Sequence, residues 1–394
     1  MTTPALAHSQ PPLQSWGAVL AMSLAAFVLV ASEFMPVSLL TLIATDLHIS
    51  EGQAGQSISV SGLFALLTCL VIAPIAARVE RKRLLLGLTV LMIASATVVA
   101  FAPNYSLFML GRALIGVAIG GFWSLSAATA MRLVADEHVP RALAVVNGGN
   151  ALSTVIAAPL GSFLGALIGW RGATFCIVPV AVIAAIWLVF SFPNMPTERR
   201  AASGNVLRLM KRLPVALGML AVGVLFMGQF MLFTYLRPFL ENVTRVGVPT
   251  LSMLLLAIGV AGFIGTALIG VVLRRGLYRT LVAIPLLMAV IALCLVAFGG
   301  EVLPVFVLLG LWGMLATAAP TGWWSWLAQA LPGDAEAGGG LMVAVVQLCI
   351  ACGSTVGGIL ADGHGLRATF MASAALLLLA SLLAWRTARL HGAQ

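Results

Sequence analysis

Residues 30–40 read Val30-Ala31-Ser32-Glu33-Phe34-Met35-Pro36-Val37-Ser38-Leu39-Leu40. They lie inside an apolar run from about Gly17 to Ile43, long enough to cross a bilayer as a helix. Glu33 falls near the middle of that run. A carboxylate at that depth costs at least about 2.5–3.5 kcal/mol even on the lenient insertion scale. A helix keeps such a group where it faces a cavity or a partner and works there.

The rest of the chain has the same character. Its 394 residues are 61% hydrophobic and 8% charged, with a mean hydropathy of +1.10. A water-soluble fold of this size needs far more charge on its surface. The composition gives an all-α membrane protein. The first run is too long for a signal peptide and ends in no small-residue cleavage site, so it reads as a helix.

Twelve transmembrane helices are expected near 17–43, 54–77, 84–102, 107–131, 142–169, 172–192, 214–240, 251–273, 280–300, 303–331, 338–361 and 368–386. The longest interruption, 193–213, holds Pro193, Pro196, Arg199, Arg200, Arg208, Lys211 and Arg212. It reads as a cytoplasmic linker between an N-terminal bundle, 1–192, and a C-terminal bundle, 214–394. Ser50-Glu51-Gly52-Gln53 fits a capping box at the start of span two.

Basic residues set the orientation. With the N-terminus inside, sixteen Lys and Arg fall in inner segments and four (Arg171, Arg237, Arg245, Arg367) in outer ones. That bias places both termini in the cytoplasm. It also accounts for the net charge of +9 and the pI of 10.2, since the basic loops face an anionic leaflet. No nucleic-acid partner is expected.

The halves repeat. A shift of 196 sets Glu33-Phe34-Met35 on Gln229-Phe230-Met231, Arg78 on Arg274 and Arg83 on Arg279. It also sets Gly161, Leu164, Gly169 and Arg171 on Gly357, Leu360, Gly365 and Arg367. Near span ten the offset is 201, and Gly121-Phe122-Trp123-Ser124 meets Gly322-Trp323-Trp324-Ser325. Two six-helix units of this kind sandwich a midplane site and rock around it. Small-residue ridges, Gly161/Gly165/Gly169 and Gly353/Gly357/Ala361/Gly365, allow close helix contact.

Only two charged residues lie deep in the bilayer, Glu33 and Arg112. Their depths differ by roughly 6 Å at 1.5 Å per residue, so pairing is expected. A static ion pair between helices is the alternative. The working reading makes both proton-coupling residues, with Glu33 loading and releasing the proton and Arg112 tuning it. One proton moving inward gains about 2.3 kcal/mol per 100 mV, which can drive export of an uncharged solute.

Other side chains suit a flat, polar ligand. Gln229, at the repeat-related place of Glu33, cannot titrate but donates and accepts. Trp123, Trp323 and Trp324 offer rings that stack on nucleobases for roughly 1–3 kcal/mol per base. Trp312 and Trp326 lie nearby, and the span-ten indoles cannot all face one way. Asn147, Asn150 and Gln347 are midspan polar groups suited to ligand contact or to bonds between helices. The five cysteines, including the Cys349–Cys352 CxxC, sit in apolar runs and read as packing. No metal-ligand spacing, cofactor motif or nucleophile–base pattern appears, so neither a metal, a cofactor nor an enzyme is expected.

These residues resemble the major facilitator superfamily, in its drug:proton antiporter branch, over nearly the whole chain. Arg112-Ala-Leu-Ile-Gly116-Val-Ala-Ile-Gly120 is similar to the family's span-four motif, and Gly169-Trp170-Arg171 to its span-six start. Arg78 to Arg83 stands where the family has its acidic-basic loop, with Ala73, Ala77 and Glu80 replacing the usual Gly, Asp and Gly. Pro159-Leu160-Gly161 survives from the span-five antiporter motif, with Ala158 in place of its opening glycine.

Within the branch the likeness is to bacterial purine ribonucleoside efflux proteins. It rests on Glu33-Phe34, Pro36 to Thr41, Ile49 to Gly52, Ala54 to Ser57, Gly120 to Trp123, Val155 to Gly165, Phe233-Thr234-Tyr235 and Arg237-Pro238. The resemblance implies proton-coupled antiport that exports inosine- and guanosine-like nucleosides through a bacterial inner membrane, by a monomer. Phe34, Trp123, Asn150, Gln229, Tyr235, Trp323, Trp324 and Gln347 are the expected substrate contacts. Efflux of drugs or sugars on the same fold is one alternative, and a non-transporting membrane receptor another.

Overall fold

The computed structural model describes residues 15–76, 78–193, 195, 210–331 and 335–391. The linker expected at 193–213 lies mostly outside them. Eleven apolar helical stretches among the described residues are long enough to cross a membrane. One of them, Val139–Ser191, is 53 residues long and folds back at Gly169, so the chain crosses twelve times.

In order, the helices are α1 (Trp16–Ser38), α2 (Leu40–Leu47), α3 (Glu51–Ala76), α4 (Arg81–Ala100), α5 (Tyr105–Leu133), α6 (Val139–Phe175) and α7 (Ile177–Ser191). Then come α8 (Leu213–Thr234), α9 (Leu236–Asn242), α10 (Val248–Arg275), α11 (Leu277–Phe298), α12 (Val302–Ala330), α13 (Ala335–His364) and α14 (Leu366–His391). Two apolar cores form. One is built almost wholly from residues between Ala18 and Met195, the other from residues between Val215 and Ala384. Large apolar side chains such as Phe190 and Leu303 point outward and form a belt for lipid.

Local signals position these helices. The capping box is made: Ser50 Oγ accepts from the Gln53 N–H, and Gln53 Oε1 accepts from the Ser50 N–H, both at 3.0 Å. Asn104 caps α5 by accepting from the Leu107 N–H at 3.0 Å.

The backbone carries the repeat seen in the sequence. Span one breaks at Leu39 (φ −114°, ψ 4°), and span seven breaks at Tyr235 (φ −103°, ψ 16°), 196 positions later. Both spans were expected to run on as single helices. The chain reverses between spans five and six at Gly169 (φ 74°) and between eleven and twelve at Gly365 (φ 85°), again 196 apart. Left-handed backbone of this kind favours a residue without Cβ. The glycine ridges dock on matching places. A Cβ on Gly161 would meet the Met35 and Ser38 side chains, and one on Gly357 those of Met231 and Tyr235.

The halves meet along α3 with α13 and α6 with α10. Their side-chain hydrogen bonds cluster toward the face of the short α2–α3 and α9–α10 hairpins, opposite the linker face, where α7 ends and α8 begins. Asp362 accepts from the Ser50 hydroxyl at 2.6 Å and from the Gly52 N–H at 3.0 Å. The Arg237 guanidinium donates to the Ser38 carbonyl, at the break in span one. Tyr235, fully buried, donates to the carbonyls of Ser354 (2.8 Å) and Gly52 (3.4 Å). Thr355 bonds Ser59 at 2.8 Å. Glycine makes the fit possible: a Cβ on Gly55 would lie 2.1 Å from the Tyr235 hydroxyl.

Candidate functional site

Below this seal lies an aromatic layer. Phe34 of α1 meets Phe230 at 5.7 Å and Phe233 at 6.1 Å between ring centroids. Phe34 and Phe230 are repeat-related, so this contact marks the pseudo-twofold axis between the bundles. Val37, Ile58 and Ile350 pack in the same cluster.

On the linker side of the layer is a cavity of about 140 Å³. Trp123 of α5 faces it from one half. Trp323 and Trp324 of α12, Phe226 of α8 and Gln347 of α13 face it from the other. Trp324 is 46% exposed, while Trp323 is buried and packs edge-on against Trp326 at 5.5 Å. Trp312 and Trp326 belong to the C-terminal core. The cavity therefore has indole walls from both halves. Gln347 is 8% exposed, and its Oε1 has no hydrogen-bond partner. A buried, unpaired amide oxygen carries a desolvation cost of roughly 1–3 kcal/mol, which a ligand donor relieves.

Glu33 lies beside the aromatic layer and is 6% exposed. Arg112 is 2% exposed and approaches the same turn of α1. The two side chains do not form the expected ion pair. The guanidinium instead donates to the backbone: Nη1 to the Ser32 carbonyl (2.7 Å), Nη2 to the Glu33 carbonyl (3.0 Å) and Nε to the Ser57 carbonyl (3.2 Å). Nη2 also reaches Ser61 Oγ at 3.2 Å. The cause is in the sequence. Pro36 has no N–H, so the Ser32 carbonyl four residues earlier has no helical donor. Arg112 supplies one.

The structure gathers four of the expected contacts, Trp123, Trp323, Trp324 and Gln347, at one cavity. Phe34 lines the layer above it, and Tyr235 belongs to the seal. Gln229 sits one residue before Phe230 with its Oε1 buried and unpaired. Asn150 is half-buried on α6 and is not among the cavity's walls. Val222, Phe226, Pro320, Met342, Val343 and Val346 complete the walls. Only the aromatic spacing of Phe226 and Phe230 could have singled any of them out.

The model of the Major Facilitator Superfamily matches residues 22–348. A Pseudomonas aeruginosa PAO1 protein named transcription regulatory protein OpdE is 61% identical over 99% of this chain and 98% of its own. The purine ribonucleoside efflux pump NepI of Escherichia coli K12 is 40% identical over 94% of this chain and 93% of its own. Two solved structures share the fold. One is a bacterial homologue of the human lysosomal transporter Spinster in an inward-facing, unoccupied conformation. It has a TM-score of 0.76 and 16% identity, covering 97% of this chain and 98% of that one. The other, a mutant of the nucleoside transporter NupG, has a TM-score of 0.77 and 11% identity, covering 94% and 99%.

Proposed function

The chain belongs to the major facilitator superfamily, and on that premise we propose that it is an antiporter that exports purine ribonucleosides in exchange for protons. It is a multi-pass membrane transporter and not an enzyme. The observation that carries the nucleoside reading is the cavity between the halves, where indoles from both bundles surround one buried, unpaired amide. The relative named as a purine ribonucleoside efflux pump favours the same cargo.

In this reading the linker face is cytoplasmic and the membrane is the bacterial inner one. The sealed hairpin face is then periplasmic, and the cavity loads from the cytoplasm. Glu33 carries the proton. It stands next to Phe34, at the contact between the halves, so rocking about that contact changes which side it meets. Arg112 fixes the kinked turn from which Glu33 projects. Tyr235 works in the gate and not in substrate contact. The protein acts as a monomer.

The test is uptake of radiolabelled inosine into inverted vesicles with an acidic lumen. Wild type should concentrate inosine, and Glu33→Gln should lose the response to the gradient. Equal uptake by the two would remove Glu33 from the mechanism. Preferential uptake of apolar amphiphiles would favour a drug pump.

The name of the 61% identical relative favours a second reading, a membrane receptor without transport. That protein would give no gradient-driven flux, and its Glu33→Gln form would still signal.

A further inference from the structure

We infer that Gln347 is the specificity-determining residue of the cavity, and that it reads the edge of a planar base that presents an N–H donor beside an acceptor. The inference rests on the nucleoside reading above and goes beyond it by assigning the discriminating group.

Three observations meet at this side chain. Gln347 is one of the walls of the cavity, the others being apolar or aromatic side chains. It is more than nine-tenths buried, at 8% exposure. Its Oε1 has no partner. Apolar walls and indoles bind any flat ring, because every ring has a π-face. Such surfaces hold a ligand without telling one base from another. A single buried amide adds what they lack, one donor and one acceptor side by side. A ligand that leaves either unpaired forfeits that hydrogen bond.

The amide fits the N1–H/O6 edge of hypoxanthine or guanine, donating to O6 and accepting from N1–H. A carboxylate at the same place can only accept. It suits guanine, which offers N1–H and N2–H₂ together, better than hypoxanthine, which offers N1–H alone. The cavity, at about 140 Å³, has room for the ring.

The test compares competitors of labelled inosine uptake in inverted vesicles. Wild type should prefer inosine over 1-methylinosine by about tenfold, since methylation removes the N1–H donor. Gln347→Met keeps length and bulk, and it should lose that preference. Gln347→Glu should shift the guanosine-to-inosine preference toward guanosine by about tenfold. Wild type that accepts 1-methylinosine as well as inosine overturns the inference. So does a Gln347→Met protein that still rejects 1-methylinosine, because the discrimination is then steric. Wild type that takes up no nucleoside overturns the nucleoside reading itself, and the inference with it.

Discussion

Arg112 Nη1 donates to the carbonyl of Ser32 at 2.7 Å, the carbonyl that Pro36 leaves without a helical partner. A proline inside a helix removes the bond to the residue four places back and crowds it. In span one the vacancy falls one residue before Glu33. The shift of 196 places Leu232 at the position of Pro36, and the span-ten offset of 201 places Gly313 at that of Arg112, so the C-terminal half has neither. The proline and the arginine occur together in one half and are missing together from the other. Arg112 therefore caps, inside the membrane span, the carbonyl that Pro36 leaves open.

This pairing makes a double-mutant cycle informative. Arg112→Leu leaves the Ser32 carbonyl without a donor, at about 1–3 kcal/mol, whereas the Glu33 and Ser57 carbonyls lie inside their helices, four residues before Val37 and Ser61. Pro36→Ala restores an N–H for Ser32. In the Pro36→Ala background the loss caused by Arg112→Leu should shrink by about 1–3 kcal/mol. Unfolding of the four proteins in mixed micelles measures this. Strict additivity would separate the arginine from the kink.

The seal depends on close backbone approach at α3. A Cβ on Gly52 would lie 2.3 Å from Asp362 Oδ2 and 2.7 Å from the Gly358 carbonyl oxygen. Backbone cannot yield as a side-chain tip can, so Gly52→Ala should push the two halves apart on the hairpin face. Gly310→Ala is the control, because nothing lies within 4 Å of its Cβ. Spin-label distances across the hairpin face should lengthen by several ångströms in a larger fraction of Gly52→Ala molecules, as in rigid-body switching. The Gly310→Ala protein should match wild type. Equal distributions in all three would remove Gly52 from the closure.

Much of this fold is legible in residue order, for physical reasons. A bilayer forces about twenty apolar residues into each crossing, so hydropathy marks the spans. The repeat survives because each bundle solves the same packing problem. Leu39 and Tyr235 break their helices with no glycine or proline at the break itself, and local propensity hides them. The direction of Arg112 was hidden too, because depth along a helix says nothing of whether a guanidinium turns to a carboxylate or to backbone. At the cavity, Trp323 and Trp324 are adjacent and identical, yet one is buried and the other half open. Val222, Met342 and Val346 look like any other apolar residue of a membrane span.

Outside the spans, Asp46 is salt-bridged to Arg171, whose guanidinium also lies over the Trp170 ring at 4.4 Å. The Arg171 hydrogen bond holds the Asp46 carboxyl below the usual carboxylate range. A depressed folded value gives stability that is present above the unfolded pKa, about 3.9, and lost as pH falls through the folded value. Both partners are more than a third exposed, at 37% and 44%, so the contribution is at most about 1 kcal/mol. Asp46→Asn, which copies the Asn242 of the other half, should lower the unfolding midpoint slightly at pH 7. The gap should close below about pH 4. A gap that widens in acid would mean that Asp46 acts through something other than Arg171.

Glu33 gives the sharpest separation of binding from coupling. It is buried, it has no arginine on its carboxylate, and it neighbours the ring contact at the axis. Gln keeps its shape and removes its titration. Glu33→Gln leaves the Arg112 guanidinium its hydrogen bonds to the Ser32, Glu33 and Ser57 carbonyls and to Ser61, so the fold should persist. Binding of inosine, read by quenching of Trp123 or Trp324 fluorescence, should change less than threefold. Concentrative uptake driven by an acidic lumen should fall at least tenfold, while exchange of inosine for inosine continues. If the variant instead unfolds or loses binding, the carboxylate holds the structure or the ligand, and the proton must ride elsewhere.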